Sequence, residues 1–376
     1  MVRKTGLGIW VFLAISGVGV GCFSAFDNFY FHDRGYAVVA IGALTATFNI
    51  SVAVAELPSA MIFDRRSHWA AIQMGNGLRF VGLVLFFLAF GVWSDFAAEA
   101  IAGIGAAAMS GTSIAFILNR IGDVGAHDRR KIIGLVAVLG SAASLLGGGI
   151  GLLGFLREPR LIWGLGALFM GIAGLCFFFW RPKDRTSSRR QLEPLRSYLI
   201  GLGTIARHPR AWLSIAADAA LVAPFLLWQL RLGSTGIFAV LAGFAVMKIA
   251  GVLGGQLVGN RRIDRKFFYV LVAVNIAAIF GFAGFAPVVL IVLCFGIHVL
   301  LHIAISVYCQ AEFQAVVADD QRAGATSVVS LLSSFTAGAA AILVGILADS
   351  ANPIVAVLPS VVLYVIVALV TMTERS

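Results

Sequence analysis

The chain has 376 residues, of which 60% are hydrophobic and only 12% charged, with a formal net charge of +10. A water-soluble domain carries roughly 25% charged residues, so a soluble fold is excluded and a bilayer is the solvent that fits. Twelve helices of about 20 residues would take about 240 positions, which leaves no room for a separate soluble domain. The positive charge falls in short loops, so it does not read as a nucleic-acid surface.

In chain order, apolar runs predict spans over residues 7–26, 37–62, 69–91, 98–119, 132–156, 161–180, 211–232, 236–258, 267–286, 287–312, 323–349 and 352–373. Only the turn around Pro287 divides the ninth from the tenth. Met1-Val-Arg-Lys before an apolar run has the outline of a signal peptide. With no soluble domain behind it, an uncleaved first helix is expected. The fifth span carries Gly140-Ser-Ala-Ala-Ser-Leu-Leu-Gly147-Gly-Gly149-Ile-Gly151. Small residues at this spacing let helix backbones approach closely, so packing is their expected role.

Basic residues crowd alternate loops. With the N-terminus inside, 22 of the 28 Lys and Arg fall in internal loops and tails, against Arg34, Arg157, Arg160 and Arg231 outside. The positive-inside rule then places both termini in the cytoplasm of a cell whose inner membrane holds the chain. Residues 181–210 form a basic cytoplasmic loop between an N-terminal six-helix bundle, 1–180, and a C-terminal one, 211–376. Phe63-Asp64-Arg65-Arg66 after the second span is echoed about half a chain later by Gly259-Asn260-Arg261-Arg262 after the eighth. The expected fold is an all-α membrane protein of twelve transmembrane helices in two pseudo-symmetric six-helix bundles, an architecture that carries solutes.

Two motifs carry a resemblance. One is Glu56-Leu-Pro-Ser-Ala-Met-Ile-Phe-Asp64-Arg65-Arg66; the other, Arg322-Ala-Gly-Ala-Thr-Ser327, leads into the eleventh span. The first resembles the loop between the second and third helices of the major facilitator superfamily. Its usual form is an acidic residue and Pro-Thr-Gly, then Ala-Asp-Arg-x-Gly-Arg and a further basic residue. The second resembles that family's Arg-Ala-Thr-x-x-Ser. Ala60 and Ser67 replace glycines of the pattern, and His68 and Trp69 replace later basic positions. The resemblance implies the facilitator fold, with a central cavity lined by the first, fourth, seventh and tenth helices. It also implies that Asp64 and Arg65, echoed by Arg261 and Arg262, hold one gating state closed on the cytoplasmic side.

Ionisable groups at membrane depth are costly and mark sites or compensating pairs. Counting depth at about 1.5 Å per residue brings Glu56 level with Arg79 on the second and third spans, and Asp218 level with Lys248 on the seventh and eighth. Each pair is expected as a structural brace or a charge relay. His298 and His302, four apart, share one face of the tenth span near mid-membrane. They would bind solute, titrate near physiological pH, or simply hydrogen-bond within the bundle. A third ligand for a metal is not evident. Trp228 and Gln229 offer an aromatic wall and a polar contact, although an interfacial belt also suits Trp228. Asp27, Asn28 and Tyr30 form a periplasmic mouth or are ordinary loop residues. Cys22, Cys176, Cys294 and Cys309 sit in apolar runs without metal-ligand spacing and read as buried thiols.

No phosphate loop, H-E-x-x-H or G-x-S-x-G is present, so neither enzyme chemistry nor a cofactor is expected. The sequence reads as a monomeric secondary transporter moving a small organic solute by alternating access, as proton-coupled efflux. Asp218, Lys248, His298, His302, Trp228 and Gln229 would handle solute and protons. Uptake by the same fold is the first alternative; a receptor or assembly partner on a transporter scaffold is the second.

Overall fold

The computed structural model describes residues 7–63, 67–109, 112–121, 126–180, 208–260, 263–317 and 322–373. All regular structure there is helical, as a bilayer demands of segments that must satisfy their own backbone groups. The helices are α1 (Leu7–Ser24), α2 (Asp27–Asp33), α3 (Val38–Phe63), α4 (His68–Leu88), α5 (Val92–Met109), α6 (Thr112–Ile121), α7 (Ala126–Arg157) and α8 (Leu161–Phe179). After the central loop come α9 (Pro209–Ala219), α10 (Val222–Gly233), α11 (Ile237–Asn260), α12 (Arg265–Gly284), α13 (Val288–Gln314), α14 (Arg322–Ser350) and α15 (Pro353–Thr373). Among the described residues, twelve stretches are long and apolar enough to cross a membrane. The first, fourth and seventh are each made of two helices: α1 with α2, α5 with α6, and α9 with α10. The division at Pro287 stands, because α12 ends at Gly284 and Pro287 takes the N-cap position of α13.

Packing separates two units, one of Met1–Asp27 with Ile50–Leu192, the other of Asn28–Asn49 with Glu193–Ser376. The helices of the two halves pair alike. In the first, α1 packs on α7 and α8, and α4 on α5 and α8; in the second, α9 packs on α14 and α15, and α12 on α13 and α15. The fold is thus twelve spans in two pseudo-symmetric bundles. Even the interruptions correspond: residues 25–26 break the first span and residues 220–221 the seventh.

In the first unit, glycines set the tightest contact. A Cβ at Gly147 or Gly151 would strike the carbonyl oxygen of Val18 or Cys22 on α1. Three side chains on one face of α4 then reach backbone carbonyls of α8. Trp69 Nε1 donates to Phe177 at 3.2 Å, Gln73 Nε2 to Gly174 at 3.0 Å, and Asn76 Nδ2 to Met170 at 2.9 Å. Trp163 fills the core between Phe86 and Phe23, its ring 4.4 and 5.3 Å from theirs.

The second unit includes the end of the first span and the start of the second. Gly42 lies against the Ala341 carbonyl of α14, and Gly345 against the Val39 backbone of α3. Asp349, in the last turn of α14, accepts from the Val38 and Val39 amides and so caps α3.

Candidate functional site

The seventh span is broken for a local reason. Pro224 has no N–H for the Ala220 carbonyl and its ring crowds that oxygen. The chain turns between α9 and α10 with a short bond from the Leu221 amide to the Asp218 carbonyl at 3.3 Å. The Ala223 amide at the start of α10 donates to Ser360 Oγ of α15 at 3.3 Å. Interrupted membrane helices commonly build solute and ion sites in transporters.

Asp218 stands one residue before α9 ends, half-buried. Its Oδ1 accepts from Ser306 Oγ of α13 at 2.9 Å and its Oδ2 from Ser333 Oγ of α14 at 3.1 Å. One carboxylate therefore ties the seventh, tenth and eleventh spans. An ionised carboxylate only accepts, and such charge-assisted bonds are roughly twice as strong as neutral ones. Lys248, expected level with Asp218, holds its Nζ 4.9 Å from the centroid of Phe244, one turn away on α11. The hydrogen bonds of Asp218 thus go to two hydroxyls rather than to Lys248. Arg79 likewise packs its aliphatic stem on Gly105 of α5, while Glu56 is half-buried on α3.

The two histidines of α13 do share a face, and it points into the second unit. His298 Nδ1 donates to Asn275 Oδ1 of α12 at 2.9 Å, and His302 Nδ1 lies 2.8 Å from the Tyr364 hydroxyl of α15. The Tyr364 ring stands edge-on to both imidazoles, at 6.2 and 6.4 Å. With 0% exposure, His298 presents no surface to a solute; His302 presents 7%. Trp228 is also core, stacked 5.4 Å from Phe295 and 6.4 Å from Phe244.

Asn28 and Gln229 are brought together. Asn28 Nδ2 donates to the Leu226 carbonyl at 3.2 Å, and Gln229 Oε1 accepts from the Phe29 amide at 2.9 Å. Asp27 belongs to the first unit, where its carboxylate acts electrostatically on Glu99 together with Asp95. Asp64, Arg65, Arg261 and Arg262 lie outside the described residues. Among the described residues, no three His, Cys, Asp or Glu are placed to hold a metal.

Sequence reasoning missed Ser306, Ser333, Asn275, Tyr364, Asp95 and Glu99. The first four are partners across helices, and no sequence spacing links them to Asp218 or the histidines. Asp95 and Glu99 did leave a signal, two acids four apart on one helical face. It was lost because the fourth span starts at Val92, earlier than the apolar run suggests.

These features sit in a recognisable frame. A family model described as Major Facilitator Superfamily matches residues 8–317. The chain belongs to the Major Facilitator Superfamily. As a member it is a multi-pass membrane protein that carries small solutes by secondary-active transport, and not an enzyme. Solved structures agree in fold. The nucleoside transporter NupG superposes with a TM-score of 0.80 at 14% identity, covering 100% of both chains. The peptide transporter POT in complex with sulfate gives 0.75 at 14% identity, over 98% of this chain and 94% of that one. The human organic anion transporter MFSD10 gives 0.65 at 12% identity, over 98% and 99%. Comparison with curated protein sequences finds no match.

Proposed function

We propose that this facilitator imports a small polar metabolite by alternating access, driven by protons that bind at Asp218. The observation that carries the reading is the tie from Asp218 to Ser306 and Ser333 beside the break in the seventh span. While ionised, the carboxylate holds both hydroxyls. Protonation turns one oxygen into a donor, so one of the two hydrogen bonds weakens or reverses its direction. Proton binding thereby alters how three spans are held, which is the coupling a transporter needs. His302 and Tyr364 form the adjoining polar contact, with Asn275 and His298 behind them. A small polar cargo is supported by similar solved structures named for nucleosides, for peptides and for a complex with 5-aminolevulinic acid.

The loop charges support cytoplasmic termini and an inner-membrane location. The protein acts as a monomer of two six-helix bundles, 1–180 and 211–376, joined by the loop 181–210. Asp64 and Arg65 take the family's gating role on the cytoplasmic side.

The test has two stages. Thermal stabilisation by a panel of nucleosides, short peptides and amino-acid derivatives selects the cargo. Uptake of that cargo into proteoliposomes is then followed under an imposed pH gradient. Accumulation should follow the gradient in the wild type and lose its pH dependence in Asp218→Asn. Unchanged pH dependence in that variant would remove Asp218 as the coupling group. Flux directed only outward would remove the import reading.

A further inference from the structure

At the end of the second unit opposite the C-terminus, a cavity of about 240 Å³ lies between the helix ends. Its rim is polar, with Arg231, Ser234 and His32; its floor is apolar, with Leu227, Phe282 and Val357. The order along the helices fixes this polarity. Leu227 precedes Arg231 by four residues on α10, and Val357 follows Pro353 by four on α15, so each lies about 6 Å deeper than the rim.

We propose that this cavity binds a small amphiphilic anion, its charged head on Arg231 and its apolar chain on the floor. Arg231 is the single charged residue that lines it among the described residues. Its Nη2 donates to the Phe285 carbonyl at 2.7 Å, which pins the guanidinium without neutralising it. Among the described residues, no carboxylate pairs with it. Asp349, which caps the Val38 amide beside the rim, already has both oxygens on backbone N–H groups. A fixed guanidinium without a counter-ion suits a carboxylate, phosphate or sulfate head, which it can meet with two parallel bonds. Ser234 and His32 add polar groups at the same level. The volume is below the roughly 300–1,000 Å³ of pockets for drug-sized ligands. The occupant is therefore a short-chain amphiphile or the head and first carbons of a phospholipid. The inference stands apart from the transport mechanism, because it uses neither Asp218 nor the histidines.

Octyl phosphate, titrated calorimetrically into the full chain in a maltoside detergent, tests it, with octanol and inorganic phosphate as partial probes. Octyl phosphate should bind one site at least tenfold more tightly than either. Arg231→Gln, which removes the charge, and Val357→Trp, which fills the floor, should each weaken binding at least tenfold. Arg231→Lys should retain more than Arg231→Gln. Native mass spectrometry separates the sources. A phospholipid kept by the wild type and lost from Arg231→Gln names the bilayer; octyl phosphate binding without a retained lipid names a soluble amphiphile. Either result upholds the site. Octanol binding as tightly as octyl phosphate, wild-type affinity in both variants, or no binding would overturn it. If a variant fails to fold, the comparison of the three probes on the wild type decides.

Discussion

Asp349 Oδ2 accepts a hydrogen bond from the Val39 amide at 2.8 Å, while its Oδ1 takes the Val38 amide at 2.9 Å. The end of α14 thus supplies two of the acceptors that the start of α3 lacks, and its negative charge faces the positive end of the helix dipole. A side-chain cap of this kind contributes about 1 kcal/mol. Asp349→Ala should therefore speed amide exchange in the first turn of α3 about fivefold, as 1 kcal/mol implies. Asp349→Asn keeps one acceptor and should fall between. Hydrogen-exchange mass spectrometry of that segment reads the effect; wild-type exchange in Asp349→Ala would mean that the cap contributes nothing.

Ser306 and Ser333 share one carboxylate, so their contributions should not add. Hydrogen bonds to charged groups are worth about 1.5–3 kcal/mol. Ser306→Ala and Ser333→Ala should each destabilise the protein by about that amount. The double change should depart from the sum by more than about 0.5 kcal/mol. In an Asp218→Asn background both serine effects should shrink. Thermal unfolding of the six variants checks this. Full additivity would show that Asp218 does not join the two serines energetically.

Much of the fold was legible because bilayer constraints are one-dimensional. Length, hydropathy and loop charge identify spans without reference to neighbours, and even the weak turn at Pro287 separates two real helices. The candidate site was legible only in part. Depth along a helix follows from residue count, but the direction of a side chain around the axis depends on which helices surround it. Counting residues sets Asp218 level with Lys248, yet Asp218 meets Ser306 and Ser333 and Lys248 lies over Phe244. The histidines show the same limit. Their four-residue spacing gave a shared face, and only packing reveals that the face meets Asn275 and Tyr364.

The glycine run of the fifth span resolves into two kinds of position. Gly147 and Gly151 meet the α1 backbone, whereas Gly140 and Gly149 have nothing within 4 Å of a built Cβ. Gly147→Ala and Gly151→Ala force the helices apart and should each cost about 1–3 kcal/mol, the usual penalty of overpacking. Gly149→Ala faces open space and should be neutral or stabilising by up to about 1 kcal/mol, from helix propensity. Thermal midpoints in one detergent separate the two kinds. Equal loss at Gly149 and Gly147 would contradict the α1–α7 contact.

Asn275 and His298 form a buried pair whose two members should be worse alone than absent together. Asn275 and His298 are both fully buried, and the remaining Nδ2 of Asn275 and Nε2 of His298 have no hydrogen-bond partner. Asn275→Leu leaves the His298 Nδ1 donor stranded, and His298→Leu strands the Asn275 oxygen. An unsatisfied buried polar group costs about 1–3 kcal/mol, so each single change should lower the unfolding midpoint clearly. The double change to leucine strands neither group, and replacing both partners by apolar groups can be nearly neutral. The double variant should therefore be more stable than either single one. If it retains wild-type uptake, the pair is a brace between α12 and α13. If it is stable but transport has lost its pH dependence, the pair belongs with Asp218 in the proton path.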